Sequence, residues 1–132
     1  DPKIALLSIN PHCGDDGVIG DDDQKILIPT VKKLLDLGFS VSGPFSADSF
    51  FGSGSFNHYH ATMAVYHDQG LIPFKTISFG EGINYTAGLN IIRTSPDHGT
   101  AYNIAGNNTA DHRSFSKSIH CALQIFKNRN KK

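Results

Sequence analysis

The 132-residue chain has the length and composition of one globular domain, with 39% hydrophobic and 18% charged residues. Its twelve basic and twelve acidic side chains cancel, so bulk charge predicts neither a nucleic-acid-binding nor a membrane-binding surface. No apolar run approaches the roughly 18 residues that a membrane helix needs, and no signal peptide is visible in the sequence. Cys13 and Cys121 lack any disulfide-framework or zinc-ribbon spacing, which favours free thiols and a cytoplasmic location.

The first third of the chain has the pattern of a strand, a loop and a helix. Lys3–Ile9 is continuously apolar, as a strand covered on both faces should be, and Asn10–Gly20 is a loop rich in Gly and Asp. Asp21–Asp23 suit the positive end of a following helix, in which Pro29 predicts a kink and after which Gly38 predicts a stop. The apolar face of this helix is predicted to consist of Leu27, Val31, Leu34 and Leu35.

The middle of the chain predicts two strands separated by a loop. Phe39–Ser42 alternates apolar and polar residues and reads as a short strand ended by a Gly-Pro pair. Phe45–Tyr59 is rich in Gly, Ser and aromatic residues and predicts a surface loop, with a helical turn near Asp48–Phe51. Ala61–Tyr66 predicts a buried strand that ends in a His-Asp-Gln-Gly turn.

The last part of the chain predicts further strands and a final helix. Leu71–Phe79 favours a helical turn passing into a strand, Leu89–Thr94 another short strand, and Ser95–Gly106 a loop. A helix is expected from Asp111 to Asn128, and the basic end, Lys127–Lys132, is expected to be frayed. The alternation of strands and helices predicts an α/β protein with helices on a parallel or mixed sheet. The last helix has an apolar stripe of Phe115, Ile119, Ala122, Leu123 and Phe126.

Two histidines follow apolar strands and could bind a metal. His12 follows the first strand and His67 follows the strand from Ala61. If these strands are parallel, both imidazoles lie at one edge of the sheet, where ligands bind in open α/β sheets. Imidazole suits zinc, cobalt and other divalent ions, whereas a loop histidine bonded to backbone is the alternative for each residue alone. Asp48 and Asp68 are further candidates, since a catalytic zinc usually has three protein ligands.

Two other regions carry polar groups suited to small ligands. Lys75 and Asn84 lie in apolar or Gly-rich surroundings, and Arg93 follows two isoleucines at a predicted strand end. The guanidinium could clamp a carboxylate or phosphate, with a surface ion pair as the alternative. The segment Asp97–Gly106 has glycines for close backbone approach and could hold a nucleotide, or could be a simple turn before the helix. It is not a G-x-G-x-x-G fingerprint.

The beginning of the chain suggests a portion of a longer protein. The sequence starts at Asp1, its only methionine is Met63, and the first strand appears almost at once. We therefore expect further sequence in the parent protein.

Six motifs follow one another along nearly the whole chain: Asn10-Pro-His-Cys-Gly-Asp15, Gly43-Pro44 with Ala47-Asp48, Tyr66-His-Asp-Gln-Gly-Leu71, Gly82-Ile-Asn-Tyr-Thr86, Arg93-Thr-Ser-Pro-Asp-His-Gly-Thr100 and Ile104-Ala-Gly106. Together they resemble the 4-hydroxythreonine-4-phosphate dehydrogenase family of pyridoxal phosphate biosynthesis. The resemblance implies an α/β/α sandwich of the isocitrate and isopropylmalate dehydrogenase type. It implies that residues 1–132 are the C-terminal portion of a two-domain dehydrogenase, without an independent second domain.

The resemblance also implies a reaction and its ligands. It implies NAD-dependent oxidation and decarboxylation of 4-phosphohydroxy-L-threonine to 3-amino-2-oxopropyl phosphate, in a homodimer whose subunits share the active site. His12 and His67 would bind a divalent metal, either zinc, magnesium or cobalt, with a third histidine from the N-terminal half. Lys75, Asn84 and Arg93 would contact the phosphorylated substrate, and Lys75 and Asp68 are the catalytic candidates. NAD would lie against His98, Gly99, Thr100, Ala101 and Asn103.

Two residues depart from the family pattern. Cys13 stands where alanine is usual, and Asn103 stands where an acidic residue is common. An amide accepts hydrogen bonds only through its oxygen, so Asn103 bears on NAD affinity and on the choice between NAD and NADP. Two alternatives remain open: a sister dehydrogenase for phosphorylated threonate or erythronate, and an inactive chain that only binds metal or dinucleotide.

Overall fold

Strands and helices alternate along most of the chain. The structure is a computed structural model that describes residues 1–131. Short 3₁₀ turns cover Pro11–Gly14, Ser55–His58 and Tyr102–Ile104, and a π-helical turn covers Asp23–Leu27. The strands and α-helices are, in chain order, β1 (Ile4–Leu7), α1 (Ile28–Asp36), β2 (Val41–Phe45), α2 (Ala47–Gly52), β3 (Ala61–Met63), α3 (His67–Ser78), β4 (Ile83–Thr86), β5 (Arg93–Pro96) and α4 (Arg113–Arg129).

The chain forms two compact units, Asp1–Pro73 and the residues from Phe74 onward. The first unit contains a three-stranded parallel sheet with the order β2-β1-β3. The second contains the antiparallel pair β4-β5, against which α4 packs. The boundary falls within α3, which therefore contributes residues to both units.

β1 is the central strand of the first unit and is buried on both faces. Leu6 packs with apolar side chains of α1, of the turn before it and of β2. Ala5 and Leu7 point to the other face and pack with Phe50 of α2. The continuous apolar run therefore did predict a doubly covered strand, since helices lie on both sides of it.

The helix predicted after the loop begins as the π-helical turn and continues as α1. Pro29 lies in the first turn of α1, where a missing N–H is tolerated, so the irregularity comes before the proline. Gly38 ends the helix as predicted, with φ 87 and its N–H donated to the carbonyl of Leu35 at 2.9 Å. Leu35 itself is 52% exposed, so the predicted apolar face is wrong there.

β2 begins later than predicted and runs through the Gly-Pro pair. The N–H of Ser8 donates to the carbonyl of Phe45 at 2.8 Å, which extends the pairing with β1 past Pro44. The strand end expected at the Gly-Pro pair is wrong because β2 is an edge strand of this sheet, where a residue without an N–H is tolerated.

The aromatic segment after β2 belongs to the core. Phe50 is 3% exposed, and its ring centroid lies 5.3 Å from that of Phe45 and 5.7 Å from that of Tyr59. The surface loop predicted over Phe45–Tyr59 is therefore wrong in its burial, although α2 confirms the predicted helical turn. Aromatic side chains bury large areas without requiring a regular sequence period, which is why the pattern did not reveal this.

The segment around His67 differs most from its prediction. Only Ala61–Met63 is a strand, and its side chains are exposed because β3 is the other edge of the sheet. His67 begins α3, so the predicted turn is wrong, and so is the strand expected towards Phe79. The helix packs closely on the segment before it: a Cβ at Gly70 would lie 2.9 Å from the Cβ of Ala64.

The second unit contains a hairpin that the sequence predicted only in part. β4 was not expected, and β5 begins at Arg93 rather than ending near it. The predicted strand Leu89–Thr94 is wrong because most of these residues form the connection between β4 and β5. Antiparallel pairing aligns Asn84 with Ser95 and Thr86 with Arg93.

α4 begins at Arg113 and ends at Arg129, so the chain is helical past the expected fraying at Lys127. The carboxylate of Asp111 accepts the backbone N–H of Arg113 at 2.9 Å and its Nε–H at 2.8 Å. These bonds to Arg113 lower the pKa of Asp111 to about 2. The negative charge therefore persists beside the positive N-terminal end of the helix, where it is favourable.

The apolar stripe of α4 does not face the hairpin. Ser114 and Ser118 are buried instead, and the hydroxyl of Thr94 in β5 donates to the carbonyl of Ser118 at 2.9 Å. The stripe predicts the helix correctly but not the side that packs. Four of its residues are between 48% and 60% exposed, namely Phe115, Ile119, Leu123 and Phe126.

We expect Phe50→Ala to destabilise the first unit by about 3–5 kcal/mol, because it removes a buried ring and leaves a cavity. Urea denaturation followed by tyrosine fluorescence measures this change. The matched control is Phe39→Ala in the same unit, where the ring is 54% exposed, and a change within about 0.5 kcal/mol is expected. Equal losses in both variants would contradict the aromatic core.

Candidate functional site

Three parallel strands bring metal-binding types of side chain to one edge of the first unit. β1 pairs in parallel with both β2 and β3, so their carboxyl ends share that edge. His12 lies in the turn after β1, Asp48 in the first turn of α2, and His67 at the start of α3. The parallel pairing expected for the strands before the two histidines is confirmed.

His12 lies in a tightly wound turn. The backbone is left-handed at His12 (φ 51) and at Cys13 (φ 55), and the N–H of Asp15 donates to the carbonyl of His12 at 3.1 Å. Gly14 is required here because a Cβ would collide with the carbonyl oxygen of Gly20. Left-handed backbone is uncommon for residues other than glycine and occurs often at functional sites.

His67 is paired with the carboxylate next to it in the chain. Its Nδ1 lies 2.7 Å from Oδ1 of Asp68, and because a carboxylate only accepts, Nδ1 donates. The lone pair of Nε2 is then the one open to a ligand. Histidines that bind metals usually donate their other N–H to a carboxylate or carbonyl in this way.

Asp48 contributes a stable negative charge near His12. The hydroxyl of Ser46 donates to its carboxylate at 2.6 Å and holds the pKa of Asp48 below the usual value. The backbone N–H of Ser49 and the charge of His12 act in the same direction. Asp48 therefore stays ionised, as a carboxylate ligand or a counter-charge must.

These donors fit a divalent cation in kind, because imidazole and carboxylate are common ligands of such ions. They do not complete a site: within residues 1–131, no three His, Cys, Asp or Glu side chains are grouped so that they could hold a metal.

Gln69 is a polar residue that the sequence reasoning missed. Its Oε1 is buried and has no hydrogen-bond partner among residues 1–131. Buried acceptors are nearly always satisfied in native proteins, so this oxygen is available to a ligand or to another polypeptide segment. Gln69 follows His67 and Asp68 in α3. The only signal in the sequence that could have identified it as a site residue is its position next to these two ionisable residues.

The candidate substrate residues all lie in the second unit. Lys75, on α3, has its Nζ 3.6 Å from Oδ2 of Asp97. Asn84 and Arg93 occupy one face of the hairpin, since residues alternate and Asn84 is level with Ser95 as Thr86 is with Arg93. The guanidinium of Arg93 donates to the Thr86 hydroxyl at 3.0 Å, and both Asn84 and Arg93 are exposed.

The candidate nucleotide loop lines two cavities of the second unit. His98 and Ala101 line one of about 250 Å³, and Thr100 and Ala101 line another of about 480 Å³. Ala101 is left-handed, with φ 51. Gly99 and Asn103 line neither cavity. Three of the five residues predicted to contact NAD therefore lie at a cavity wall.

Ser114 anchors this loop and was not identified from the sequence. Its hydroxyl accepts the N–H of Asp97 at 3.1 Å and donates to the carbonyl of Gly82 at 2.6 Å. It therefore ties the start of the loop and the start of β4 to α4. A serine inside an amphipathic helix gives no distinctive pattern, so its role depends on the fold.

Another cavity of the second unit, of about 550 Å³, contains none of the predicted site residues. Two of the cations that line it are already paired. Lys117 lies 3.2 Å from Glu81, and Arg113 lies 2.7 Å from Asp111. The cavity therefore lacks a free cluster of charge and does not change the assignment of the site.

Two further expectations concern the whole chain. Cys13 and Cys121 are free thiols, as their spacing predicts. Among residues 1–131, none of the helices combines the length and the hydropathy needed to cross a lipid bilayer.

The solved structures that resemble this chain include dehydrogenases. The crystal structure of 4-hydroxythreonine-4-phosphate dehydrogenase from Klebsiella pneumoniae superposes with a TM-score of 0.78 at 43% identity, over 94% of this chain and 38% of that one. A terephthalate 1,2-cis-dihydrodiol dehydrogenase from Burkholderia xenovorans gives 0.61 at 30% identity, over 94% and 39%. The predicted α/β fold class is thereby confirmed.

The sequence model described as pyridoxal phosphate biosynthetic protein PdxA matches residues 1–122. The chain belongs to the PdxA family. A relative from Bacteroides thetaiotaomicron, 4-hydroxythreonine-4-phosphate dehydrogenase, is 49% identical over 130 residues. That match covers 98% of this chain and 36% of the relative, so the chain spans little more than a third of the relative's length.

We expect neutral His67 to carry its proton on Nδ1, because the carboxylate of Asp68 accepts from that nitrogen. Nitrogen–proton correlation spectra at alkaline pH distinguish the two tautomers. In Asp68→Ala this preference should be lost, whereas Asp16→Ala, at an exposed carboxylate in the loop after His12, should leave it unchanged. A proton on Nε2 of His67 in the unaltered chain would contradict the assigned geometry.

Proposed function

We propose that this chain supplies part of the active site of a metal-dependent NAD dehydrogenase acting on 4-phosphohydroxy-L-threonine. Membership of the PdxA family supports the reaction class. The observation that carries the proposal is that His12 and His67 follow adjacent parallel strands, with Asp68 bonded to the second imidazole. Two imidazoles at one sheet edge are suited to holding a divalent ion.

The residues of the first unit would hold and tune the metal site. His12 and His67 bind the ion, Asp68 keeps the Nε2 lone pair of His67 open, and Asp48 adds negative charge. A bound zinc, magnesium or cobalt ion supplies Lewis acidity towards the 3-hydroxyl of the substrate. Asp68 is also a catalytic candidate, since a carboxylate that is hydrogen-bonded to an imidazole can stabilise positive charge that develops on the ring.

The residues of the second unit would bind substrate and NAD. Arg93 and Asn84, on one face of the hairpin, orient the phosphorylated substrate through its anionic groups. Lys75 assists transfer of the hydroxyl proton or neutralises the negative charge that develops there. His98, Gly99, Thr100, Ala101 and Asn103 lie along NAD. In the reaction a hydride leaves carbon 3 for NAD and the hydroxyl loses its proton. The resulting β-keto acid loses its carboxylate as carbon dioxide, and carbon 2 takes up a proton to give 3-amino-2-oxopropyl phosphate.

The remaining ligands of the metal would come from other polypeptide. Within residues 1–131 the donor set stays below three, which supports a site shared with a longer chain and with a second subunit of a homodimer. A cytoplasmic location is part of the same proposal, since two free thiols suit a reducing compartment.

A sister dehydrogenase is the second candidate. The Burkholderia xenovorans neighbour has the same fold at 30% identity and is a dehydrogenase of a different compound. The fold therefore accommodates more than one substrate, and 4-phospho-threonate or 4-phospho-erythronate would use the same charged groups. An inactive chain that only binds metal or dinucleotide is the third candidate, supported by the incomplete donor set.

The proposed activity can be tested by grafting this chain into the Bacteroides thetaiotaomicron relative in place of the matching segment. We expect the chimaera to reduce NAD with 4-phosphohydroxy-L-threonine and divalent metal, and the 132-residue chain alone to be inactive. His67→Ala should reduce turnover to background because a metal ligand is lost, while His58→Ala, at an exposed histidine of the same unit, should have no effect.

The same chimaera separates the three candidates by spectrophotometric assay of NADH. Preference for 4-phospho-threonate or 4-phospho-erythronate would assign the sister activity, because the rest of the protein is unchanged. Binding of metal without turnover of any of these substrates would support the inactive chain. Full turnover in His67→Ala would contradict the metal-ligand role.

We expect Asn103→Asp to lower the KM for NAD about fivefold, which corresponds to about 1 kcal/mol between a neutral and a charge-assisted hydrogen bond to ribose. The KM for NADP should rise, since the new carboxylate repels the 2′-phosphate. Steady-state kinetics of the chimaera measure both constants. Asn128→Asp on α4 is the matched control, and a similar change in that variant would contradict the assignment of Asn103.

A further inference from the structure

Asp23 is a fully buried carboxylate that nothing in the proposed chemistry uses. It is 0% exposed and lies in the π-helical turn before α1. Its Oδ1 accepts the N–H of Ile9 and its Oδ2 accepts the N–H of Asn10, both at 3.0 Å. Burying a charge is costly unless it is strongly hydrogen-bonded, and these two bonds are charge-assisted.

The residues on either side of Asp23 hold the same stretch of chain. Oδ2 of Asp22 accepts from the side-chain amide of Asn10 at 3.1 Å. The amide of Gln24 donates to the carbonyl of Cys13 at 3.1 Å. Three consecutive residues therefore hydrogen-bond the chain on both sides of His12. π-Helical turns often occur at functional sites, and this one, together with Asp22 just before it, presents three side chains to a single loop.

The backbone at His12 needs such support. His12 has φ 51 and ψ 32, a left-handed conformation that a residue with a side chain keeps only where its surroundings impose it. Asp23 bonds the backbone as far as Asn10, two residues before His12. Gln24 bonds the carbonyl of Cys13, one residue after His12. Asp23 is the only member of the three that is fully buried, so it is the fixed point from which the turn is held.

We propose that Asp23 is a positioning residue that holds His12 in place as a metal ligand. The inference rests on the metal role proposed above for His12 and His67. Asp23 touches neither metal nor substrate and acts only through the two backbone N–H groups that start the turn. Groups that orient a ligand without binding the metal commonly change metal affinity about 10- to 100-fold when they are replaced.

Paramagnetic broadening by Co²⁺ tests this in the chimaera described above, where the rest of the relative can supply the remaining ligands and the labelled imidazoles of His12 and His67 report metal contact directly. In Asp23→Asn, one acceptor is replaced by an amide that faces an N–H donor. We expect half-maximal broadening of the His12 signal to require about 10- to 100-fold more Co²⁺ than in the unaltered chain. The Co²⁺ dependence of His67 should shift in the same direction, towards that seen in His12→Ala.

The matched control is Asp21→Asn, the same chemical change two residues away, where the exposed carboxylate pairs with Lys25. It should titrate like the unaltered chain. Circular dichroism of the metal-free variants establishes that each is folded at the temperature used. A purely structural role for Asp23 would lower the unfolding temperature without changing the Co²⁺ dependence of His12, and that result would overturn the proposal.

Failure of the metal site and failure of this inference give different results. No broadening of either imidazole in the unaltered chain would refute metal binding by His12 and His67, and the positioning role with it. Broadening that is identical in the unaltered chain and in Asp23→Asn would refute the positioning role alone. If Asp23→Asn does not fold, Asp23→Glu keeps the charge but moves it by one methylene, and an unchanged His12 response in that variant would overturn the proposal.

Discussion

The parallel pairing of β1 with β2 on one side and β3 on the other is the constraint on which the first unit depends. β1 can take that central position because its side chains are apolar on both faces and helices cover both. Parallel strands end at the same edge, so every residue that follows them is brought there. His12, Asp48 and His67 share an edge for this reason, although the two histidines are 55 positions apart in the sequence (67 − 12).

The two units carry different parts of the proposed chemistry. Imidazoles and carboxylates lie in the first unit, whereas the cationic substrate residues and the cavity-lining loop lie in the second. In each unit a buried polar side chain outside the proposed chemistry is bonded to the segment to which that chemistry is assigned: Asp23 through two backbone N–H groups, and Ser114 through one N–H and one carbonyl. Such groups are costly to bury, so their hydrogen bonds also select one conformation of each loop.

The exposed apolar side chains have a common explanation in the helix patterns. The sequence period of α4 predicts an apolar stripe, but the hairpin packs against the serine side. There the Ser114 hydroxyl bonds the backbone at Gly82 and Asp97, and the backbone carbonyl of Ser118 accepts from Thr94. Periodicity indicates that a helix has an apolar face and says nothing about what covers it. The same holds for Leu35 of α1 and for the residues of β3. An apolar side chain is buried only if another layer of the structure covers it.

The sequence by itself determined the α/β class, β1, the helix after the loop and the end of that helix at Gly38, because apolar runs and glycines are local signals. The ordered motifs determined the family. The sequence also indicated that His12 and His67 follow strands. The tertiary structure alone decided that His67 begins a helix, that the aromatic segment is core, that β4 pairs with β5, and which backbone groups Asp23 and Ser114 hold. Each of these depends on contacts between residues distant in the chain, and long-range packing overrides local pattern wherever burial or a hydrogen bond contributes more than propensity.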